Sequence, residues 1–180
     1  MALAATPAFA ALNAYLQLDG IAGESKESNH SGWLDVSSFT LDPQQVLNIG
    51  SQSSGAGAGK VTFNPFTITR KIDRASPNLV TASTAHRTIP HATIEFTNDG
   101  EQTVSWRALV TDAVVTGYKV KPATGNGPAT EEVTLQPGNL EIWSRPTPAN
   151  GTPGAWVKRD LKEVREHLPR QIIPAATGAR

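Results

Sequence analysis

Alternation of apolar and polar residues with a period of two constrains the fold of this chain more than any other feature of its sequence. The alternation stands on both sides of an Asn-Asp-Gly turn signal at 98–100. The apolar positions are Ala92, Ile94 and Phe96 before the turn, and Val104, Trp106, Ala108 and Val110 after it. Because successive strand residues point to opposite faces of a sheet, this pattern predicts an antiparallel hairpin with one buried face.

Other short segments predict further strands. They lie at 15–19, at 114–120, around Val133 and Leu135, and around Leu140 and Ile142. Many short strands separated by turn residues are typical of antiparallel barrels and sandwiches. We therefore expect a mainly β protein, an antiparallel β-barrel or sandwich.

One predicted strand contains a change of phase. Val61 and Phe63 occupy odd positions, whereas Phe66 and Ile68 occupy even ones. Both pairs cannot share one face unless the strand gains an extra residue or is interrupted. We expect a bulge or a break at 64–65, where a proline cannot donate to a central ladder, and two separate strands explain the pattern almost as well.

Two helices are predicted beside the sheet. Ser76 is suited to be an N-cap and Pro77 to the first helical position, so a short flanking α-helix is expected over about 77–85, with Leu79 and Val80 facing the core. An additional C-terminal helix is expected over about 157–168. Its apolar stripe consists of Val157, Leu161, Val164 and Leu168, and Pro169 ends it.

The length of 180 residues suits one main domain with a sizeable core. We expect an N-terminal extension at 1–12, a barrel domain at 13–144, and a linker with the C-terminal helix and tail at 145–180. The loop at 41–60 contains a Gly- and Ser-rich tract at 51–59 that has little to bury.

Composition excludes several classes of function. Sixteen basic and sixteen acidic residues give no net charge, so there is no basic field to hold nucleic acid or an anionic membrane. The absence of cysteine excludes disulfides and Cys-ligated zinc. The N-terminal segment lacks a basic region, and Thr6 and Pro7 interrupt its apolar stretch, so no cleaved signal peptide is expected.

A phosphate-binding loop is not supported at 55–60. The Walker A motif begins with Gly and places Ser or Thr after its Lys, whereas Ser54 and Val61 occupy those positions here. A strand is expected to follow, whereas a phosphate site needs a helix N-terminus to present its amides. The segment is interpreted as a flexible loop.

Catalytic and metal-binding patterns are equally weak. The histidines, His30, His86, His91 and His167, have no ligand spacing and are expected to be exposed or hydrogen-bonded loop residues. Three carboxylates, those of Glu24, Glu27 and Asp35, lie near Trp33, but turns commonly contain such residues, and no Gly-x-Ser-x-Gly elbow is present. We expect no enzymatic activity, no metal and no cofactor.

Several motifs in one order resemble the Hcp family, whose members build the inner tube of bacterial type VI secretion systems. The motifs are Tyr-Leu-Gln-Leu-Asp-Gly-Ile at 15–21, Gly-Glu-Ser at 23–25, Gly-Trp-Leu-Asp-Val at 32–36, Ser-Phe at 38–39, and the segments 61–69, 73–79 and 89–95. The likeness covers about residues 14–143. The segments 1–12 and 145–180 depart from the family pattern.

The resemblance implies a barrel subunit that forms hexameric rings, which stack into a hollow tube. It also implies partners: a contractile sheath, a VgrG-type spike and small effectors. Such a protein is assembled in the cytoplasm and then secreted to the extracellular space or a target cell. A ring needs a side-to-side contact that closes, and stacking needs a second contact between unlike faces.

Seven residues are predicted as inter-ring or inter-subunit contacts, because long loops and exposed edges supply such contacts. They are Gln44, Gln45, Gln52, Ser54 and Lys60 in the long loop, and Trp156 and Leu161 at the C-terminal helix. Two alternatives stay open: a monomeric β-barrel module that binds carbohydrate or peptide, suggested by four tryptophans, and an Hcp-like effector adaptor.

Overall fold

The computed structural model describes residues 12–41, 45–46, 62–98, 103–123, 125, 127–146 and 152–161. Within these residues the chain forms eleven β-strands and one α-helix. In chain order they are β1 (Leu12–Leu18), β2 (Leu34–Val36), β3 (Ser38–Thr40), β4 (Gln45–Val46), β5 (Thr62–Phe63), β6 (Phe66–Lys71), α1 (Ser76–Thr84), β7 (Thr88–Asn98), β8 (Val104–Lys121), β9 (Thr130–Gln136), β10 (Asn139–Ser144) and β11 (Val157–Asp160).

Nine strands form one antiparallel sheet that closes into a barrel. The strand order is β2-β1-β7-β8-β9-β6-β3, and β10 and β11 continue the sheet from β8. Only Ser37 separates β2 from β3, and its amide donates to the carbonyl of Thr69 in β6 at 2.8 Å. One continuous segment therefore pairs with β1 on one side and with β6 on the other. The predicted mainly β, antiparallel fold is confirmed.

The hairpin predicted from the alternation is confirmed as β7 and β8, which pair antiparallel from Thr88 with Val114 to Thr97 with Val104. The separation of 104–110 from 114–120 into two strands is wrong, because β8 runs through both. Asp112 bends the strand without ending it, by adopting a left-handed backbone with φ of 52°, a region that Asp tolerates better than most residues. The first half of β8 pairs with β10 and the second half with β9.

Gly138 lies beside this bend, between β9 and β10. Its amide donates to the carbonyl of Thr111 at 3.1 Å. A side chain at this position would place its Cβ only 2.8 Å from the Cβ of Asp112. Glycine therefore permits β9 and β10 to follow β8 closely around the bend.

The barrel interior is filled by the apolar side chains that the alternation selects. Ile94 and Ala92 of β7 and Ala108 and Val110 of β8 are buried, and so are Leu16, Leu34, Ile68, Val133 and Leu135. Phe96 and Trp106 are partly buried and stack at 4.7 Å between ring centroids. The strand pattern thus determines which face of each strand contributes to the core.

The predicted interruption at 64–65 is a break. β5 ends at Phe63 and pairs with β4 in a separate two-stranded sheet, whereas β6 begins at Phe66 in the main sheet. Phe63, Phe66 and Ile68 are all buried, which reconciles the two phases of the sequence pattern.

The first predicted helix is confirmed as α1, with two corrections. The N-cap is Ala75, and Ser76 is the first helical residue, whose hydroxyl accepts a hydrogen bond from the amide of Asp73 at 3.1 Å. Leu79 is buried as expected, but Val80 is 39% exposed and Ala82 is buried in its place. Neighbouring helical residues are rotated by about 100°, so Leu79 and Ala82 share a face that Val80 does not.

The second predicted helix is wrong over its first residues. Val157–Asp160 forms β11, which pairs antiparallel with β10, and the residues from 162 onward lie outside the described residues. The edge of β10 offers unpaired backbone groups to these residues, and a β-branched valine suits a strand. Within the part of the chain that the structure describes, no helix is long and apolar enough to span a membrane.

Candidate assembly surfaces and buried polar clusters

Three of the sequence motifs meet at one place on the barrel. The amide of Gly23 donates to the carbonyl of Gly32 at 2.8 Å, and the amide of Ser25 donates to that of Trp33 at 3.0 Å. A Cβ at Gly23 would lie 2.2 Å from the Trp33 carbonyl oxygen, so only glycine allows this approach. The guanidinium of Arg74 donates from Nε to the Gly23 carbonyl at 2.9 Å. The motifs therefore fix the path of the 20–33 segment.

A fully buried histidine joins that segment to the sheet. His30 Nδ1 lies 2.5 Å from the carboxylate of Glu27, and its Nε2 lies 2.8 Å from the carboxylate of Glu95 in β7. The imidazole stacks on Tyr15, with 4.1 Å between ring centroids, and meets the edge of Trp33. Both ring nitrogens are thus occupied by carboxylates, and no serine or threonine hydroxyl of the described residues contacts them. The cluster joins the 20–33 segment to β7.

Two groups that contact His30, Glu27 and Tyr15, have pKa values shifted in opposite directions. Burial tends to raise the pKa of Glu27, but hydrogen bonds from His30, Ser28 and the Asn29 amide outweigh it, so that pKa lies below its ordinary value. Burial raises the pKa of Tyr15, and the nearby charges of Glu27 and Asp35 raise it further. The Tyr15 phenol therefore stays neutral beside an ionised carboxylate.

A second buried cluster connects three strands to the start of α1. Arg70 of β6 and Glu131 of β9 are both fully buried, with Nη1 2.8 Å from the carboxylate. The other end of the guanidinium forms an ion pair with Asp73. The Tyr118 hydroxyl of β8 donates to Glu131 at 2.5 Å, and burial, this hydrogen bond and the Glu131 charge raise the pKa of Tyr118 to about 12. These contacts hold β6, β8 and β9 together.

A cavity of about 440 Å³ opens beside the Arg70 cluster, between β1, β2 and the end of β6. Its lining includes Glu24, Asp35, Lys71, Ile72 and Arg70. Glu24 and Asp35 are exposed and form no ion pair with the described residues, whereas the Nε of buried Arg70 has no hydrogen-bond partner there. This cavity is polar and is bordered by an apolar side chain, Ile72, that is 43% exposed.

The predicted contact residue Trp156 lies against two guanidinium groups. The Arg145 guanidinium carbon lies 4.6 Å from the ring centroid and that of Arg107 lies 5.4 Å from it. Arg107 also donates to Glu95, so the Trp156 segment is linked to the His30 cluster. Leu161 packs against the core, and its amide donates to the Leu140 carbonyl at 3.1 Å. Trp156 thus contacts β8 and the residue after β10, Leu161 contacts β10, and the role of both between subunits stays a prediction.

The other predicted contact residues are not brought together by the described structure. Gln44, Gln52, Ser54 and Lys60 lie outside the described residues, and Gln45 is placed only as part of β4. Their role in assembly stays a prediction.

The residues considered for catalysis or metal binding lie at separate places in the structure. Glu27 faces His30, whereas Glu24 and Asp35 line the cavity. His91 is exposed beside Asp19 at 2.9 Å, His86 is an exposed residue after α1, and His167 lies outside the described residues. The described residues contain no group of three ligating side chains that could hold a metal ion.

Sequence reasoning missed the two buried clusters, although one carries a signal. Arg70 has the same parity as the core residues Phe66 and Ile68, and Glu131 has the same parity as Val133 and Leu135. A charge at a core position on each of two strands predicts a buried pair. No such signal identifies Glu95, because its neighbours Ile94 and Phe96 define the core face.

The fold and these clusters define an antiparallel β-barrel domain that uses its buried charges to join its own elements. The profile of the family described as "Type VI secretion system effector, Hcp" matches residues 15–142. The chain therefore belongs to the Hcp family, the tube proteins of type VI secretion systems, and the resemblance seen in the motifs is confirmed.

Known relatives agree with this assignment. Protein hcp1 of Pseudomonas aeruginosa is 25% identical over 143 residues, which are 78% of this chain and 88% of that protein. A solved structure titled "Structure of a type six secretion system protein" is similar with a TM-score of 0.70 at 24% identity, over 85% of this chain and 98% of that chain. Hcp1 from Salmonella typhimurium has a TM-score of 0.62 at 23% identity, over 85% and 96%. The likeness to these two structures shows the fold.

Proposed function

We propose that the chain is the subunit of homohexameric rings that stack into the inner tube of a type VI secretion system. The observation that carries the proposal is the extent of the family match, since residues 15–142 include nearly all of β1 to β10. The curated relative is also covered over 88% of its length, so the likeness includes most of a family member.

The role is structural, without enzymatic chemistry. The buried histidine is held by Glu27 and Glu95, and the buried arginine is held by Glu131 and Asp73. Groups engaged in this way stabilise a fold and are not free to act on a substrate. The tube acts by assembly and export, with a contractile sheath, a VgrG-type spike and small effectors as partners. We propose export to the extracellular space or a target cell.

The tryptophans give little support to the alternative of a carbohydrate-binding monomer. A sugar platform needs an open aromatic face. Trp33 contacts His30, Trp106 stacks on Phe96, and Lys158 lies over the ring of Trp143. Trp156 is likewise occupied by Arg145 and Arg107. Four rings that already have neighbours within the chain favour the tube subunit over the binding module.

Solution mass tests the proposal. Native mass spectrometry or light scattering of the purified protein is expected to give six times the 19.1 kDa chain mass. A clean monomer at high protein concentration contradicts the proposal and favours the monomeric module. A dimer or tetramer contradicts the six-fold ring as well.

A further inference from the structure

Two unlike exposed surfaces lie at the two ends of one row of paired strands, β2-β1-β7-β8-β10-β11. From β8, the strands in one direction around the barrel are β7, β1 and then β2. In the other direction they are β9, β6 and then β3. The strands β10 and β11 extend from β8, whereas the cavity lies beside β2. A side-to-side contact that closes a ring joins two different surfaces of the subunit, and the two ends of this row are such surfaces.

The first surface is the face of β11 that bears Val157 and Arg159, here called the β11 face. In register, Arg159 lies opposite Ile142, which packs against the core, so the β11 face continues the core side of the sheet beyond the barrel. Val157 is 49% exposed, and Arg159 is exposed without a carboxylate partner among the described residues. Lys158, on the other face, is already engaged with Glu141 at 3.2 Å.

The second surface is the cavity beside β2, here called the β2 groove. Its carboxylates, Glu24 and Asp35, outnumber Lys71, the lining cation that lies outside the Arg70 cluster. Ile72 gives its rim an exposed apolar side chain. The fully buried Arg70, which lines the groove, has an Nε–H with no acceptor among the described residues. The groove therefore offers two exposed carboxylates to a cation, and the Arg70 donor is not part of that recognition.

We propose that the β11 face of one copy docks into the β2 groove of a second copy, and this rests on the proposed ring. Arg159 meets the carboxylates of Glu24 and Asp35, and Val157 packs against Ile72. Each surface thus supplies one charged and one apolar element, and the signs of the charges are opposite. A guanidinium suits carboxylate recognition because its planar donors can engage two oxygens at once.

Charge reversal tests the docking on the full chain. Arg159→Glu, Asp35→Arg and Glu24→Arg are each expected to raise the concentration at which half of the rings dissociate by about tenfold or more. Combining Arg159→Glu with Asp35→Arg is expected to restore most of that loss, because the pair is re-formed with reversed signs. Lys119→Glu, an exposed charge in β8 outside both surfaces, is the matched control and is expected to leave the wild-type value unchanged. Circular dichroism verifies that each variant is folded.

The outcomes separate this proposal from the one on which it rests. If the wild-type chain forms rings but the single reversals behave like Lys119→Glu, the docking is wrong and the ring stands. If the single reversals dissociate the rings and the combined variant does not restore ring stability, the pairing of these two surfaces is wrong. This result is expected if the chain's own C-terminal tail, and not a second copy, covers one of the surfaces. A wild-type chain that does not form rings overturns both proposals. Two single reversals on the acidic side keep the test decisive if one of them fails to fold.

Discussion

The side chain of Glu131 has no access to solvent, yet it carries the charge that balances Arg70. Removing its charge leaves the buried guanidinium of Arg70 with Asp73 as its remaining carboxylate partner among the described residues, in a medium that solvates charge poorly. We expect Glu131→Gln to lower the free energy of unfolding by about 2 kcal/mol or more. Urea denaturation followed by circular dichroism measures this loss.

The neighbouring residue provides a matched control for Glu131. Glu132, on the same strand β9, forms an ion pair with exposed Lys121 of β8. Exposed pairs contribute little, so Glu132→Gln is expected to change the free energy of unfolding by about 1 kcal/mol or less. Equal losses in the two variants would show that burial of the Arg70 cluster does not determine its contribution.

The depressed pKa of Glu27 predicts how the stability depends on pH. A carboxyl whose folded-state pKa lies below its ordinary value of 4.5 stabilises the fold when the pH is above that value. The contribution is lost as the pH falls through the lower folded-state pKa. We expect the urea midpoint of the wild type to fall more steeply between about pH 6 and about pH 3 than that of Glu27→Gln. Parallel curves would mean that Glu27 contributes nothing to acid sensitivity.

The elements of the barrel show where sequence periodicity succeeds and where it fails. Alternation located β7 and the first half of β8 because each has one face on the core, and the phase change at 64–65 located the break before β6. At Asp112 the local sequence did not show that the strand continues through its bend, beside which the amide of Gly138 pairs with the carbonyl of Thr111. In α1 the prediction of the buried face was wrong at one residue, because a rotation of about 100° separates Val80 from buried Leu79.

The last strand illustrates an ambiguity that local sequence does not resolve. Val157 and Leu161 are four residues apart, a spacing that suits the buried stripe of a helix, and they also share a face in an extended chain. The edge of β10 decides between the two, because it pairs with Val157–Asp160. A contact with a distant element thus overrides a local helical pattern.

Side-chain truncation distinguishes strand from helix at this position. In the strand, Leu161 packs against the core whereas Val157 is half exposed, but in the predicted helix both would lie on the buried stripe. We expect Leu161→Ala to cost about 2 kcal/mol of unfolding free energy, and Val157→Ala about 0.5 kcal/mol or less, in dilute samples without assembly. Similar large losses at both positions would favour the helix. Thermal denaturation of the two variants measures these losses.

We propose that the long loop at 41–60 supplies contacts between stacked rings. Deleting residues 50–59 is expected to leave single rings intact and to weaken their stacking, because the Gly- and Ser-rich tract has little to contribute to the barrel core. Ring mass in solution and the length of stacked assemblies in electron micrographs measure the two effects separately. Loss of the ring itself would show that the loop acts between subunits within one ring.

For the molecule as a whole, the sequence motifs predicted the family and the fold but not the side chains that hold the fold together. The motifs at 23–25, 32–36 and 73–79 meet through Gly23, Trp33 and Arg74, which explains their order and spacing. The His30 cluster depends on residues as distant as Glu95 and Arg107, so it emerges only when β1, β7 and β8 lie side by side. The proposed function depends on contacts between copies of the chain.

Electron microscopy of the purified protein shows directly whether this chain assembles as a tube subunit. We expect six-fold symmetric rings with an open centre, and short stacks of such rings at high protein concentration. Particles without six-fold symmetry, or isolated single barrels at every concentration, would contradict the assignment of this chain as a tube subunit.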